Sequence, residues 1–417
     1  MRKRSKEDDL SVISLADRVR KAMPLYAADQ EVMQLSRDIC FEAFFSVKRL
    51  YEPDLGKVFR TARLVFCTLR CELEILQDIA DDAAVTEIMV NGPDAVFIEK
   101  GHGMEKADVY FETGEQLQRV IQRIAAGVGR EINELNPIVD ARLSDGSRVN
   151  AVYSNVALDG PVLTIRKFTK NRMTMDDLVE QGDISRQAAD LLELLVGCRY
   201  NIFVSGGTSS GKTTFLNVLS DFIPPEERVI VIEDSAELQI RNHQNLVRLE
   251  AKAENSHGKG GVSIKDLIKT SLRMRPDRII VGEVRGAEAA DMLAAMSTGH
   301  DGSLSTGHAN SAAGMIGRLE AMFLSGTAFP LEAVRKQISQ SIDLFVHLAR
   351  MPDGHRRVVE ISEVIGIEKG EVQLSQLYRY TRAEGLKRTK AVLCRCEKVE
   401  IMGKFDRLQE LQTGPEA

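Results

Sequence analysis

Residues Gly206, Gly207, Thr208, Ser209, Ser210, Gly211, Lys212 and Thr213 fit the pattern G-x-x-x-x-G-K-[ST] in full. The match follows a short apolar run, Asn201, Ile202, Phe203 and Val204, and precedes a helical pattern starting near Thr214. Strand, loop and helix in that order confine this part of the chain to the α/β class. Glycines permit the tight turn. Successive backbone N–H groups then point inward and cradle phosphates, and the helix N-terminus adds partial positive charge. Lys212 is expected to reach the β- and γ-phosphates and Thr213 to bind Mg²⁺, with Thr214 opening the helix beside them. No Asn-Lys-x-Asp run for guanine is present, so ATP is the expected nucleotide.

Two more strand-type runs, residues 229–232 and 279–281, alternate with helical patterns. Ala188, Leu191, Leu192 and Leu195 line one such helix, which stops at Gly197. This alternation predicts a parallel sheet. Residues 343–348 and 357–361 flank Pro352, Asp353 and Gly354, an antiparallel hairpin signal. Upstream, residues 86–90, 95–98, 148–152 and 162–165 read as strands, and residues 114–128 as a helix. Asp145 and Gly146 mark a hairpin turn. Helical spacing also runs through Val32, Leu35 and Ile39, and through Val65, Leu69, Leu73 and Leu76, with Pro53 breaking the run between them. The expected division is a helical region 1–81, an α+β domain 82–168, a linker 169–176, an ATPase domain 177–380 and a tail 381–417 of open structure.

Ligands of such sheets bind at the carboxyl ends of strands. There stand Glu233 and Asp234 after one strand and Glu283 after another. One acid can order Mg²⁺ and another can activate water. Gly282 occupies the place where an aspartate is usual, so Glu283 must serve, with Asp234 as a further Mg²⁺ candidate. Glu233 is favoured for activating water, although the residues leave open which glutamate does which. His300 and His308 bracket a small-residue run and are candidate sensors of the γ-phosphate.

Composition narrows the rest. Net charge is −6 and Trp is absent, so neither overall basicity nor an aromatic stacking platform favours nucleic acid. The six cysteines include no Cys-x-x-Cys pair, which favours neither a disulfide framework nor a zinc site. No apolar stretch approaches the roughly 18 residues of a spanning helix. The basic start lacks an apolar core behind it. A cytoplasmic protein is expected, touching a membrane only peripherally.

Four segments stand in order: the loop at 206–213, Ile-Glu-Asp-Ser-Ala-Glu-Leu at 232–238, Arg-Pro-Asp-Arg-Ile-Ile-Val-Gly-Glu-Val-Arg-Gly at 275–286, and Thr-Gly-His-Asp-Gly-Ser-Leu-Ser-Thr-Gly-His-Ala-Asn at 298–310. Together with segments 86–92, 139–150 and 163–168, they resemble the type II/type IV secretion ATPase superfamily. Within it they are similar to the CpaF-type ATPases of tight-adherence (Tad) pili. The resemblance covers about residues 85–374. It implies a RecA-like P-loop domain preceded by a PAS-like α+β domain and a helical bundle. It further implies a homohexameric, Mg²⁺- and ATP-dependent motor at the inner face of the cytoplasmic membrane. Such a motor acts on an inner-membrane platform protein of a pilus or secretion filament, with a type IV secretion channel ATPase as the rival reading. Arg142, Arg148 and Arg166 match segments whose arginines approach the phosphates in that family, and Arg285 is a further candidate. The tetracysteine zinc module of some relatives is missing, and the tail with Cys394 and Cys396 matches nothing in the family pattern.

Overall fold

The computed structural model describes residues 10–47, 54–101, 103–168, 173–252, 254 and 259–413. The chain divides into two compact units, Met1–Lys170 and Asn171–Ala417.

The first unit opens with three helices, α1 (Val12–Ala22), α2 (Asp29–Val47) and α3 (Leu55–Arg70). The Ser11 hydroxyl caps α1 by accepting from Ser14 N–H at 3.1 Å. Leu15, Val19, Val32, Val58 and Val65 pack between the three helices. Pro53, the expected breaker, lies outside the described residues. A 3-10 turn, Glu74–Leu76, and the short α4 (Gln77–Asp81) lead into the sheet. Glu74 is 2% exposed with φ +49°. Its carboxylate accepts from Arg123 Nη2 at 2.9 Å and Gln116 Nε2 at 3.3 Å, so the buried charge is paired.

The sheet comprises β1 (Val85–Asn91), β2 (Val96–Lys100) and β3 (Gly103–Lys106), then β4 (Ile138–Arg142), β5 (Arg148–Val152) and β6 (Val162–Arg166) beyond α5 (Gly114–Gly127). Its order is β3-β2-β1-β6-β5-β4, antiparallel throughout. Ile88, Ile98, Ile165 and Val149 stand opposite one another across strands and share one core with Leu117, Val120, Ile121 and Ile124 of α5. Period-2 alternation therefore turns the intervening residues to the other face.

The second unit begins with α6 (Met175–Glu180), opened by a capping box between Thr174 and Asp177. The last residues of the expected linker are thus the start of a helix, and its first four lie outside the described residues. Then come α7 (Arg186–Gly197), β7 (Ile202–Gly206), α8 (Lys212–Ser220), β8 (Val229–Glu233), β9 (Leu246–Glu250), α9 (Ile264–Ser271), β10 (Arg278–Val281), α10 (Glu288–Ser297) and β11 (Leu304–His308). They are followed by α11 (Ala312–Gly326), α12 (Leu331–Ser341), β12 (Leu344–Arg350), β13 (Arg356–Glu368), β14 (Glu371–Thr381), β15 (Gly385–Arg388), α13 (Glu397–Ile401) and α14 (Phe405–Thr413).

One sheet runs β15-β14-β13-β12-β7-β11-β10-β8-β9. Strands from β12 to β9 are parallel, and β13 to β15 extend the β12 side antiparallel. β7, β8 and β10 are buried along their whole length, because separate apolar cores cover the two faces. The tail, left open by the sequence, is folded onto the amino end of the sheet. Lys398 Nζ donates to Asp301 Oδ1 and Asp343 Oδ2, each at 2.7 Å, and the Glu363 carboxylate accepts from Cys394 N–H at 2.8 Å. No described helix is long and apolar enough to cross a membrane.

Candidate active site

Buried β7 delivers the chain to the loop, and α8 starts at Lys212. Close packing shapes the turn. A Cβ on Gly206 would stand 2.4 Å from Ser210 Oγ and 2.6 Å from the Leu348 carbonyl, so no side chain fits there. Gly211 has φ +90° and Ser209 φ +57°, left-handed conformations of the kind from which anion-binding backbone nests are built. The Ser210 hydroxyl donates to the Gly207 carbonyl at 2.9 Å and closes the base of the loop. Gly207, Thr208 and Ser209 remain exposed, while Thr213 and Thr214 lie half-buried in the first turn of α8.

Lys212 is 7% exposed. Its Nζ donates to the carbonyls of Gly207 at 2.9 Å and Gly206 at 3.2 Å, and lies 3.2 Å from His308 Nδ1. A lysine can only donate, so His308 Nδ1 accepts and the neutral ring carries its proton on Nε2. That nitrogen faces Glu283 Oε1 at 2.9 Å, close but not aligned as a hydrogen bond. Arg285 Nη2 donates to Glu283 Oε2 at 2.9 Å, and its Nη1 lies 3.6 Å from the exposed Asp234. The result is one relay of charged and polar groups: Lys212, His308, Glu283, Arg285 and Asp234.

Electrostatics follow from that relay. Burial lowers the Lys212 ammonium below its usual range, opposed by Glu283. Burial, with Lys212 nearby, also lowers His308. Burial opposes ionisation of Glu283, but Arg285, His308 and Lys212 together hold its carboxyl below the usual range. An ionised carboxylate, a neutral imidazole and a desolvated cation therefore meet beside the loop. A phosphate oxygen offers Lys212 a better acceptor than the loop carbonyls.

Glu233 ends β8, 4% exposed. Its Oε1 accepts from Glu237 N–H at 2.7 Å and Leu238 N–H at 2.9 Å, which fixes the carboxylate at the strand end. A Cβ on Gly282 would stand 2.9 Å from Glu233 Cγ. Glu233 thus fills the space that an aspartate at position 282 would need, which accounts for the glycine there. Thr306 Oγ1 donates to the Gly282 carbonyl at 2.7 Å and ties β11 to the same strand end.

His300 does not join this group, contrary to its expected role as a phosphate sensor. It precedes β11, whereas His308 ends it beside Gly206. A whole strand separates the two rings, so they lie at opposite ends of the sheet, and the His300 carbonyl accepts from Ser303 Oγ at 2.7 Å. Arg142, Arg148 and Arg166 belong to the first unit. They stand directly opposite one another on β4, β5 and β6, and the row continues through Glu87 and Glu99.

Sequence reasoning missed three residues near the loop. His347, 6% exposed, stands opposite Ser205 on β12, its Nδ1 2.9 Å from Ser205 Oγ. Burial lowers its imidazole, so a neutral ring braces the strand that carries the loop. Arg356 packs on Gly211: a Cβ there would stand 3.3 Å from Arg356 Cδ. Asp183 lies beside His355, at 3.7 Å. None belongs to a motif. The only available signal was a histidine inside an otherwise apolar strand pattern.

A family model described as type II/IV secretion system protein matches residues 71–411. A putative conjugal transfer protein of Mycobacterium tuberculosis is 35% identical over 314 residues, which cover 74% of this chain and 88% of that protein. The type IV secretion system protein VirB11 of Brucella suis is 33% identical over 343 residues, covering 75% of this chain and 92% of that protein. In fold, the crystal structure of the pilus retraction motor PilT with bound ADP matches 82% of this chain and 90% of its own length, at 18% identity and a TM-score of 0.50. The loop, the acidic strand ends and the parallel sheet stand inside the matched span, and the chain belongs to the type II/IV secretion ATPase superfamily, with a RecA-like domain preceded by an N-terminal domain.

Proposed function

We propose that this protein is an ATP-hydrolysing motor of the CpaF type, working as a homohexamer on an inner-membrane platform protein to drive a Tad-type pilus or a type II-like secretion filament. The observation that carries the hydrolytic part is the relay from Lys212 through His308 to Glu283 and Arg285 beside the loop. Lys212 and the N–H groups of residues 206–214 hold the phosphates. Thr213 and Glu283, with Asp234 behind Arg285, would hold Mg²⁺, which supplies charge neutralisation to the phosphates. The hydroxyl and the ionised carboxylate are the hard oxygen donors that ion takes. Glu233, fixed by two N–H groups, activates water. His308 registers the terminal phosphate through its contact with Lys212. Arg142, Arg148 and Arg166 stabilise charge on the transferred phosphoryl group, and Arg285 sets the orientation of Glu283.

A type IV secretion channel ATPase, moving protein or DNA, is the second reading. It is favoured by the identity to VirB11 and to the putative conjugal transfer protein. Turnover measured alongside mass by light scattering, with and without Mg²⁺-ATP, tests the motor. Mg²⁺-dependent turnover in a six-subunit particle supports it, and binding without turnover sinks it. Deleting the gene then separates the readings: loss of surface pili supports the first, and loss of substrate transfer with pili intact supports the second.

A further inference from the structure

The loop has two flanks. On one stand β11 and β10 with His308, Glu283 and Arg285, the groups suited to the reacting phosphate. On the other stands β12, joined to β13. A triphosphate with its terminal phosphate at the first flank must carry its nucleoside away from it.

Arg356 opens β13 there, with its stem against Gly211 and the residue exposed. Arg357, its neighbour, is already engaged. It donates to Asp353 at 2.7 Å and lies 5.9 Å above the Tyr380 ring. His355 is 42% exposed at its side chain, and its Nδ1 is 3.7 Å from Asp183 Oδ1. Asp183 is 8% exposed, and its Oδ1 has no hydrogen-bond partner. It is fixed by its backbone: its carbonyl accepts from Val358 N–H at 2.9 Å, and its N–H donates to the Leu178 carbonyl at 2.9 Å. A buried carboxylate oxygen without a hydrogen bond is costly to leave so.

We propose that Arg356, His355 and Asp183 form the nucleoside subsite of bound ATP. Arg356 lays its planar guanidinium on the base, a π face that suits this cation. His355 and Asp183 take the ribose hydroxyls, which supply the donor that Asp183 Oδ1 lacks. The assignment rests on the nucleotide reading above and adds where the sugar and base lie.

Calorimetric titration of the full chain with ATP, with 2′,3′-dideoxy-ATP and with inorganic tripolyphosphate tests it. Arg356→Ala and Arg356→Gln should each weaken ATP about tenfold and leave tripolyphosphate unchanged. His355→Ala should abolish the wild-type preference for ATP over the dideoxy analogue. Melting curves confirm that each variant is folded. If ATP and tripolyphosphate weaken together, Arg356 is a phosphate ligand and the subsite is overturned. Unchanged ATP affinity in both Arg356 variants overturns it too. A wild type that binds neither ligand sinks the nucleotide reading itself, a result visible before any variant is made.

Discussion

Arg278 and Lys212 are cations buried at opposite ends of one sheet, 0% and 7% exposed. At the amino end, Arg278 donates to both oxygens of Glu227, at 2.6 and 3.2 Å, and to the carbonyls of Val196 at 2.9 Å and Gly302 at 3.2 Å. Gly302, with φ +84°, has no Cβ because one would stand 2.0 Å from Arg278 Nη1. At the carboxyl end, Lys212 has two loop carbonyls and an imidazole, and reaches a carboxylate only through His308. The first cation is completed by its own chain and holds the fold. The second has only neutral partners from its own chain within hydrogen-bond reach among the described residues, and the proposed motor completes it with the phosphates of its nucleotide. Burial of a charge does not by itself mark a structural role or a functional one. The partner does.

The contrast can be broken at either end. Lys212→Ala should remove turnover by about a thousandfold while the unfolding free energy stays within about 1 kcal/mol of wild type. A large loss of stability would make Lys212 structural, like Arg278. Arg278→Ala should do the reverse. It takes the fork from buried Glu227, which keeps Arg199 at 3.1 Å, and should cost about 3 kcal/mol in denaturant unfolding. Glu233→Gln keeps an Oε1 acceptor for the two N–H groups, so it should fold normally and hydrolyse ATP about a hundredfold more slowly. Unchanged turnover would reduce Glu233 to a brace.

The smallest effect is with pH. Burial depresses His347 and His308, so between their native values and the ordinary value of 6.5 the unfolded chain binds more protons. Stability is therefore full above that value and falls as pH drops beneath it. Glu283, also depressed, acts lower down: its contribution is present above 4.5 and is lost as pH falls through its native value. Unfolding midpoints should decline from pH 7 to pH 5, and His347→Gln should flatten the slope. A flat wild-type profile would mean that these rings are not held neutral.

The strands buried on both faces were legible, because β7, β8 and β10 read as unbroken apolar runs. Edge strand β9, with Arg248 and Glu250 exposed, has no such run and was missed. So was β14, where polar and apolar residues alike are half-buried from Val372 to Gln376 and only Leu377 and Tyr378 are fully buried. The tail escaped for another reason: α14 buries only Leu408, too little to make a pattern. At the site, Lys212, Glu283 and His308 each stand in a local motif, and the structure brings them together. His300 was misplaced because eight positions look close in sequence, yet a strand runs between them. Arg356 reaches the loop by packing on Gly211, and Asp183 meets β13 through Val358 N–H, contacts that no spacing along the chain encodes.

The row from Glu99 through Glu87, Arg166 and Arg148 to Arg142 runs across five strands. At about 4.8 Å per strand it extends roughly 19 Å, well beyond the screening length of about 8 Å at physiological salt. Its acidic end at Glu99 and its basic end at Arg142 therefore lie farther apart than charges in water act on one another. Each pole exists only by registry. Sliding β6 by a single residue would turn Arg166 to the apolar side and split the positive pole from the negative one, so pairing errors that leave composition untouched would erase the field.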